Sequence, residues 1–171
     1  FDEMRYFAPG HDDNTLYDVS GVAVALSICE DVWVSGGPLA RQRAAGAQVA
    51  ININGSPFET DKPGLRTALA RARVHESGLP LVYLNQVGGQ DELVFDGASF
   101  VMDANGELCA QLPSFEESLT LVEIQTGKPR SQPLSAALSI EAQVYSALVL
   151  GVRDYIGKNG FPGAIIGLSG G

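Results

Sequence analysis

Apolar and polar positions alternate along this chain in two rhythms. Strand-length apolar runs bounded by turn residues predict strands over residues 15–18, 21–28, 48–52 and 79–85, with Ser20 and Gly21 turning the first into the second. Helical spacing between them predicts helices over 38–47, opened by Pro38, and over 63–77. On the second helix Leu65, Ala68, Leu69, Ala72 and Val74 mark an apolar side, and three arginines a solvated one. A parallel set of strands then gives way to a meander over 92–95, 98–102, 107–111 and 119–124, with Asn105-Gly106 as a hairpin signal. Leu138, Ile140, Val144, Leu148, Leu150 and Val152 predict one long amphipathic helix over 135–158, stopped by Asn159-Gly160 and followed by a buried strand over 163–168.

The polar interruptions carry the organisation. Residues 54–58, Asn-Gly-Ser-Pro-Phe, and 86–91, Gln-Val-Gly-Gly-Gln-Asp, both follow strands and read as loops on the ligand-binding edge of an α/β sheet. Residues 125–134 hold two prolines and no apolar periodicity, which marks a linker between units at 1–124 and 135–171. Residues 1–14 mix aromatic and charged side chains with Pro9 and Gly10 and read as a structured loop.

Composition narrows the function classes. In 171 residues, 45% hydrophobic content is ample for a sizeable core. A net charge of −9 with 11 Lys and Arg argues against nucleic acid or an anionic membrane as main partner, because both require clustered positive charge. No apolar run approaches the roughly 20 residues of a membrane span and no signal-peptide pattern opens the chain, so the cytoplasm is the expected location. Cys29 and Cys109 lie far apart with only two histidines, so no metal cluster and no disulfide framework is expected. The first residue is Phe1 and the last are Ser169-Gly170-Gly171, so the sequence is expected to be an internal piece of a longer polypeptide.

The chemistry centres on the end of the run 22–28. Cys29 is followed at once by Glu30, Asp31 and, after Val32, by Trp33. On an apolar run a cysteine is usually one more small core residue. Acidic side chains do not continue a buried strand, however, so they turn toward a cleft or solvent and make Cys29 a candidate nucleophile at the mouth of the sheet. Ser56 is a possible substrate contact, although a turn former is the more common role for such a serine. Lys62 stands at the entrance of the second helix, where a solvated lysine is equally at home. The glycines and serine of 167–171, after an apolar strand, suit a loop that cradles phosphate with backbone N–H groups.

Taken together, Phe1-Asp2-Glu3, Arg5-Tyr6-Phe7 and Pro9-Gly10, then Ile28 to Trp33, then Asn54 with Ser56-Pro57-Phe58, then Asn85 to Leu93, resemble the later half of a nitrilase-type glutaminase domain. Gly167-Leu168-Ser169-Gly170-Gly171 resembles the opening of the pyrophosphatase loop of ATP-dependent amidotransferases. In this order they resemble the glutamine-dependent NAD synthetases. That resemblance implies the C-terminal half of an α-β-β-α sandwich, followed by the start of a doubly wound α/β ATP-pyrophosphatase domain. It implies Cys29 as the nucleophile that cleaves glutamine, the backbone N–H of Glu30 as an oxyanion donor, and Glu3 as an auxiliary catalytic glutamate. Ser56, Lys62 and Phe58 match glutamine-binding positions. The synthetase step would use ATP with Mg2+ on deamido-NAD, the glutaminase step no cofactor, and the assembly would be a homo-oligomer. The family's lysine and principal glutamate match nothing in this sequence and are expected upstream of Phe1.

Two other readings compete. A free-standing nitrilase-superfamily amidase acting on a small amide needs no glycine-rich strand after residue 160. A non-catalytic module would bury Cys29 as an inert thiol.

Overall fold

The computed structural model describes residues 5–8, 14–168 and 170. Strands β1 (Leu16–Val19) and β2 (Val22–Ile28) form the expected antiparallel hairpin. Helix α1 (Pro38–Ala44) leads to β3 (Val49–Asn54), and α2 (Lys62–Ser77) to β4 (Leu81–Asn85). β2, β3 and β4 pair in parallel, as strand–helix–strand connections require. β7 (Phe100–Met102) and β8 (Leu108–Gln111) add antiparallel strands, giving one sheet in the order β1-β2-β3-β4-β7-β8.

The register sorts side chains into rows. Ala25, Ala50, Leu81 and Met102 align across four strands, and Ser27, Asn52, Tyr83 and Phe100 form the next row on the same face. Leu39 of α1, and Ala70 and Val74 of α2, bury against these rows and close the main core. On the opposite face Leu26, Ile28, Ile53 and Leu84 stay exposed.

Several expectations change. Residues 86–91 do not form a loop: β5 (Val87–Gln90) pairs with β6 (Leu93–Asp96) in a hairpin of its own, which satisfies backbone groups that a polar sequence leaves unassigned. Residues 119–124 do not form a strand; Leu119 and Leu121 are exposed, and only Ile124–Gln125 (β9) pairs, with Lys128–Pro129 (β10). The stretch 125–134 thus carries a tight turn. Beyond it Gln132 N–H donates to Cys109 O at 2.7 Å and Ser135 N–H to Gln111 O at 3.0 Å, laying the chain along β8.

Helix α3 (Ile140–Lys158) begins five residues later than the apolar spacing suggests, because Ser139 caps it by accepting from Ala142 N–H. Ala147 and Leu150 pack with Phe115 and, across the hairpin, Val87 and Val94. No described residue of 163–168 is in a strand, and Ile165, Ile166 and Leu168 are exposed; an apolar run becomes a strand only where another strand pairs with it. On α2 the buried residues are Arg66, Ala70, Val74 and Ser77, while Leu65, Ala68 and Ala72 face solvent. Among the described residues no helix is long and apolar enough to cross a membrane.

Candidate active site

The apolar run of β2 ends in a turn of the backbone at Cys29. Its φ is +43°, left-handed for a side chain that gains nothing from that region, so the surrounding structure must hold it there against about 1–3 kcal/mol of strain. A short 3-10 turn, Cys29–Val32, follows. Ile28 N–H donates to the Asp31 carboxylate at 2.7 Å and Trp33 N–H to Glu30 O at 2.9 Å, while Val32 is buried in the main core. Asp31 is thereby committed to structure. Gly37 closes the turn from behind: a Cβ there would lie 2.5 Å from the Asp31 carbonyl oxygen. The thiol is left half-buried, and neither cysteine is in a disulfide.

The loop after β3 is fixed by buried charge. Arg66, 3% exposed, and Asp96, 1% exposed, form an ion pair in which Arg66 Nη1 donates to both carboxylate oxygens at 2.8 and 2.7 Å. Arg66 Nη2 donates to the carbonyls of Ser56 and Pro57, both at 2.9 Å, and Nε to Ser56 Oγ at 3.1 Å. All N–H directions of the guanidinium are used, which is what makes burying it tolerable. Asn85 completes the clamp: its Oδ1 accepts from Ser56 N–H at 3.0 Å and its Nδ2 donates to Ser56 O at 3.2 Å.

These two constructions meet at a cavity of about 170 Å3 lined by Cys29, Glu30, Trp33, Gly55, Ser56, Pro57 and Lys62. Lys62 Nζ lies 6.0 Å from the Trp33 ring centroid and pairs with Glu59 at 2.8 Å. The hydrogen bond and charge of Lys62 hold the exposed Glu59 carboxyl below its usual value. Burial pushes the Tyr83 phenol up to about 12, with Arg66 and a hydrogen bond with Ser56 opposing and the charges of Cys29 and Asp96 adding to the rise. Its ring stacks on Phe100 with centroids 4.7 Å apart. A larger cavity of about 500 Å3, between α3 and residues 113–116, has no cysteine in its lining.

The structure therefore brings together Cys29, Glu30, Ser56 and Lys62. It does not place Phe58 at the cavity; that ring packs edge-on against Phe115, centroids 5.2 Å apart, and its N–H donates to Val94 O. Glu3, Ser169 and Gly171 lie outside the described residues. Gly167, Leu168 and Gly170 are exposed, irregular and not part of this cavity. Among the supporting residues, Asp96 and Tyr83 have no distinct signal in the sequence, Asn85 is only the start of a resembling run, and Arg66 is buried, against the expectation that it lies on the solvated side of its helix. For Arg66 a signal existed: positions 66, 70, 74 and 77 share one helical face, and the other three are all apolar or small.

Comparison with known proteins places this geometry in context. The family model described as carbon-nitrogen hydrolase matches residues 1–134. The whole chain is similar to glutamine-dependent NAD(+) synthetases of Rhodobacter capsulatus, 45% identical, and Xanthomonas campestris, 43% identical. It spans about a third of the length of these curated relatives, 31% and 32%. Among solved structures, it is similar to glutamine-dependent NAD+ synthetase from Acinetobacter baumannii, in complex with ADP. That likeness has a TM-score of 0.86 at 38% identity, over 95% of this chain and 31% of that one. An amidase of the nitrilase superfamily from Nesterenkonia matches at TM-score 0.54 and 30% identity, over 63% of this chain and 40% of its own. A variant of that amidase carries the acetamide moiety of fluoroacetamide covalently at its active-site cysteine, matching at TM-score 0.56 and 31% identity, over 65% of this chain and 41% of its own. The fold is nitrilase-like.

Proposed function

The chain belongs to the carbon-nitrogen hydrolase family, and from that premise we propose that it is the glutamine-cleaving part of a glutamine-dependent NAD synthetase. The observation that carries this reading is the shared cavity, in which Cys29 meets Ser56 and Lys62. The Cys29 thiolate attacks the side-chain carboxamide carbon of glutamine, and the tetrahedral oxyanion is held by the backbone N–H of Glu30. The proton taken from the thiol passes to the amide nitrogen, the C–N bond breaks to release ammonia, and the thioester left on Cys29 is cleaved by water to glutamate and the free thiol. Ser56 and Lys62 hold the charged α-groups of the substrate, which lie at the end remote from the carboxamide.

The ammonia is used at a second site, where ATP activates deamido-NAD for amidation. Gly167, Leu168, Ser169, Gly170 and Gly171 open the ATP-binding loop of that site. Mg2+ would accompany the ATP and offset its phosphate charge at that site.

A free-standing amidase is the second reading, supported by the likeness to the Nesterenkonia enzyme. The likeness to the synthetase extends over 95% of this chain against 63% for the amidase, and so favours the first. Cys29→Ala in the full-length protein is expected to abolish glutamine-supported NAD synthesis while ammonia-supported synthesis persists. Loss of both activities in a folded variant would overturn the division of labour.

A further inference from the structure

We propose that Phe115 is a positioning residue for amide cleavage: it holds the Phe58 ring, and through it fixes the wall of residues 55–57 that shares the cavity with Cys29. The inference rests on the reading that glutamine occupies this cavity.

The backbone of Phe115 is strained. Its φ is +63°, left-handed, where a bulky side chain is an outlier. Residues 112–115 reach that point by running beside 96–99: Leu112 N–H donates to Ser99 O at 2.8 Å, Ala98 N–H to Pro113 O at 3.3 Å and Phe115 N–H to Asp96 O at 2.8 Å. A left-handed residue at the end of such a run turns the chain and re-aims its own side chain. Strain of this kind persists only where the surrounding structure gains from the direction it imposes. Here the ring is directed into a buried cluster with Ala147 and Leu150, against which Phe58, Val87 and Val94 pack.

Gly55, Ser56 and Pro57 line the cavity, and Phe58 is the next residue along the chain. Its N–H donates to Val94 O at 2.7 Å, and its ring meets Phe115 edge-on, with centroids 5.2 Å apart and planes at 75°. An edge-on pair is directional, because the positive edge of one ring points at the negative face of the other. It therefore sets the angle at which the chain leaves the wall, which plain apolar contact does not. Phe115 also holds Asp96 through the backbone, and Asp96 is the partner of Arg66. Both fastenings of the wall thus converge on one residue. Helix α3 covers that residue through Leu150, while the bond to Asp96 sets its place from the hairpin side. Phe58 serves glutamine binding in this way without touching the cavity.

The test uses the full-length protein. Phe115→Leu keeps a Cβ, and with it the backbone strain, and removes only the ring. It is expected to raise KM for glutamine about three- to tenfold, the worth of an edge-on aromatic pair, with kcat held within about twofold. Two readouts that a general loosening would move should stay constant. One is the rate at which iodoacetamide, a probe too small to need the wall, alkylates Cys29; the other is ammonia-supported NAD synthesis. Phe58→Leu is expected to give the same rise in KM, and the double variant no more than either alone, because each ring acts through the other.

An unchanged KM in Phe115→Leu, or a rise accompanied by altered alkylation or lost ammonia-supported synthesis, would overturn the positioning role. Additive rises in the double variant would overturn its action through Phe58. Should Phe115→Leu not fold, Phe58→Leu alone carries the test, and an unchanged KM there overturns the proposal. The premise is read separately, in the unsubstituted protein, where glutamine should protect Cys29 from iodoacetamide. Absence of that protection overturns the occupancy of the cavity, and the proposal with it.

Discussion

The loop after β3 and the segment after β4 are both short, polar and glycine-bearing, yet they are ordered by opposite means. Residues 55–58 stay irregular, and the backbone groups of Ser56 and Pro57 are met by side chains: Arg66, Asn85 and, through Arg66, Asp96. Residues 87–90 instead pair with β6, and α3 braces the hairpin from outside, with Gly89 N–H donating to Asp154 at 2.7 Å and Lys158 donating to Gly89 O. An irregular loop held by a buried ion pair can present a side chain at a defined angle without a ladder to follow. A hairpin held by backbone bonds cannot, since its alternating faces are already assigned. The site accordingly forms at the first segment, and the second supplies its support through Asp96 at the end of β6.

The largest way to break this contrast is to remove the charge from the first segment. Arg66→Met leaves Asp96 buried without its cation and is expected to cost about 3–5 kcal/mol in chemical denaturation. Arg66→Met with Asp96→Leu should recover much of that loss, because an apolar pair of similar size replaces two desolvated charges. A cost under about 1 kcal/mol for the single variant would show that the loop is held by something else.

The second segment is broken by volume. A Cβ at Gly89 would lie 3.0 Å from Gly151 Cα and 3.2 Å from Asp154 Cβ, so Gly89→Ala is expected to push α3 outward at about 1–3 kcal/mol. Thermal unfolding should record the loss while the glutamine KM stays at its original value. A raised KM would show that the brace and the binding loop are one unit.

The smallest effect is a titration. Burial alone would raise the Asp154 carboxyl, but the Gly89 N–H and Arg153 outweigh it and the net shift is downward. A depressed folded-state value means that the group adds stability above the usual aspartate value of about 3.9 and loses it as pH falls through the folded value. Asp154→Asn should therefore flatten the acid limb of the stability profile below about pH 4, by about 1 kcal/mol. An unchanged limb would assign the acid sensitivity of the brace to other carboxylates.

Much of this arrangement was legible before any coordinates. The β2 run, its abrupt end at Cys29 and the turn chemistry of 54–58 are local signals, and each survives because burial on the sheet reinforces them. Lys62 and Ser56 were readable as candidates from their place after β3. The resemblance matches Phe58 to a contact, whereas its ring packs edge-on against Phe115 within an apolar cluster and is not in the cavity lining.

Periodicity by itself determined the strands and helices from β1 to β4 and the abrupt end of the β2 run at Cys29, because those depend on side-chain alternation within a dozen residues. Tertiary structure alone decided three things. Arg66 faces inward because a carboxylate 30 residues away waits there for it. Cys29 takes a positive φ because the turn behind it is closed by Asp31 and Gly37. The exposed run 163–168 forms no strand, because pairing is a property of two segments and no single sequence stretch contains its own partner.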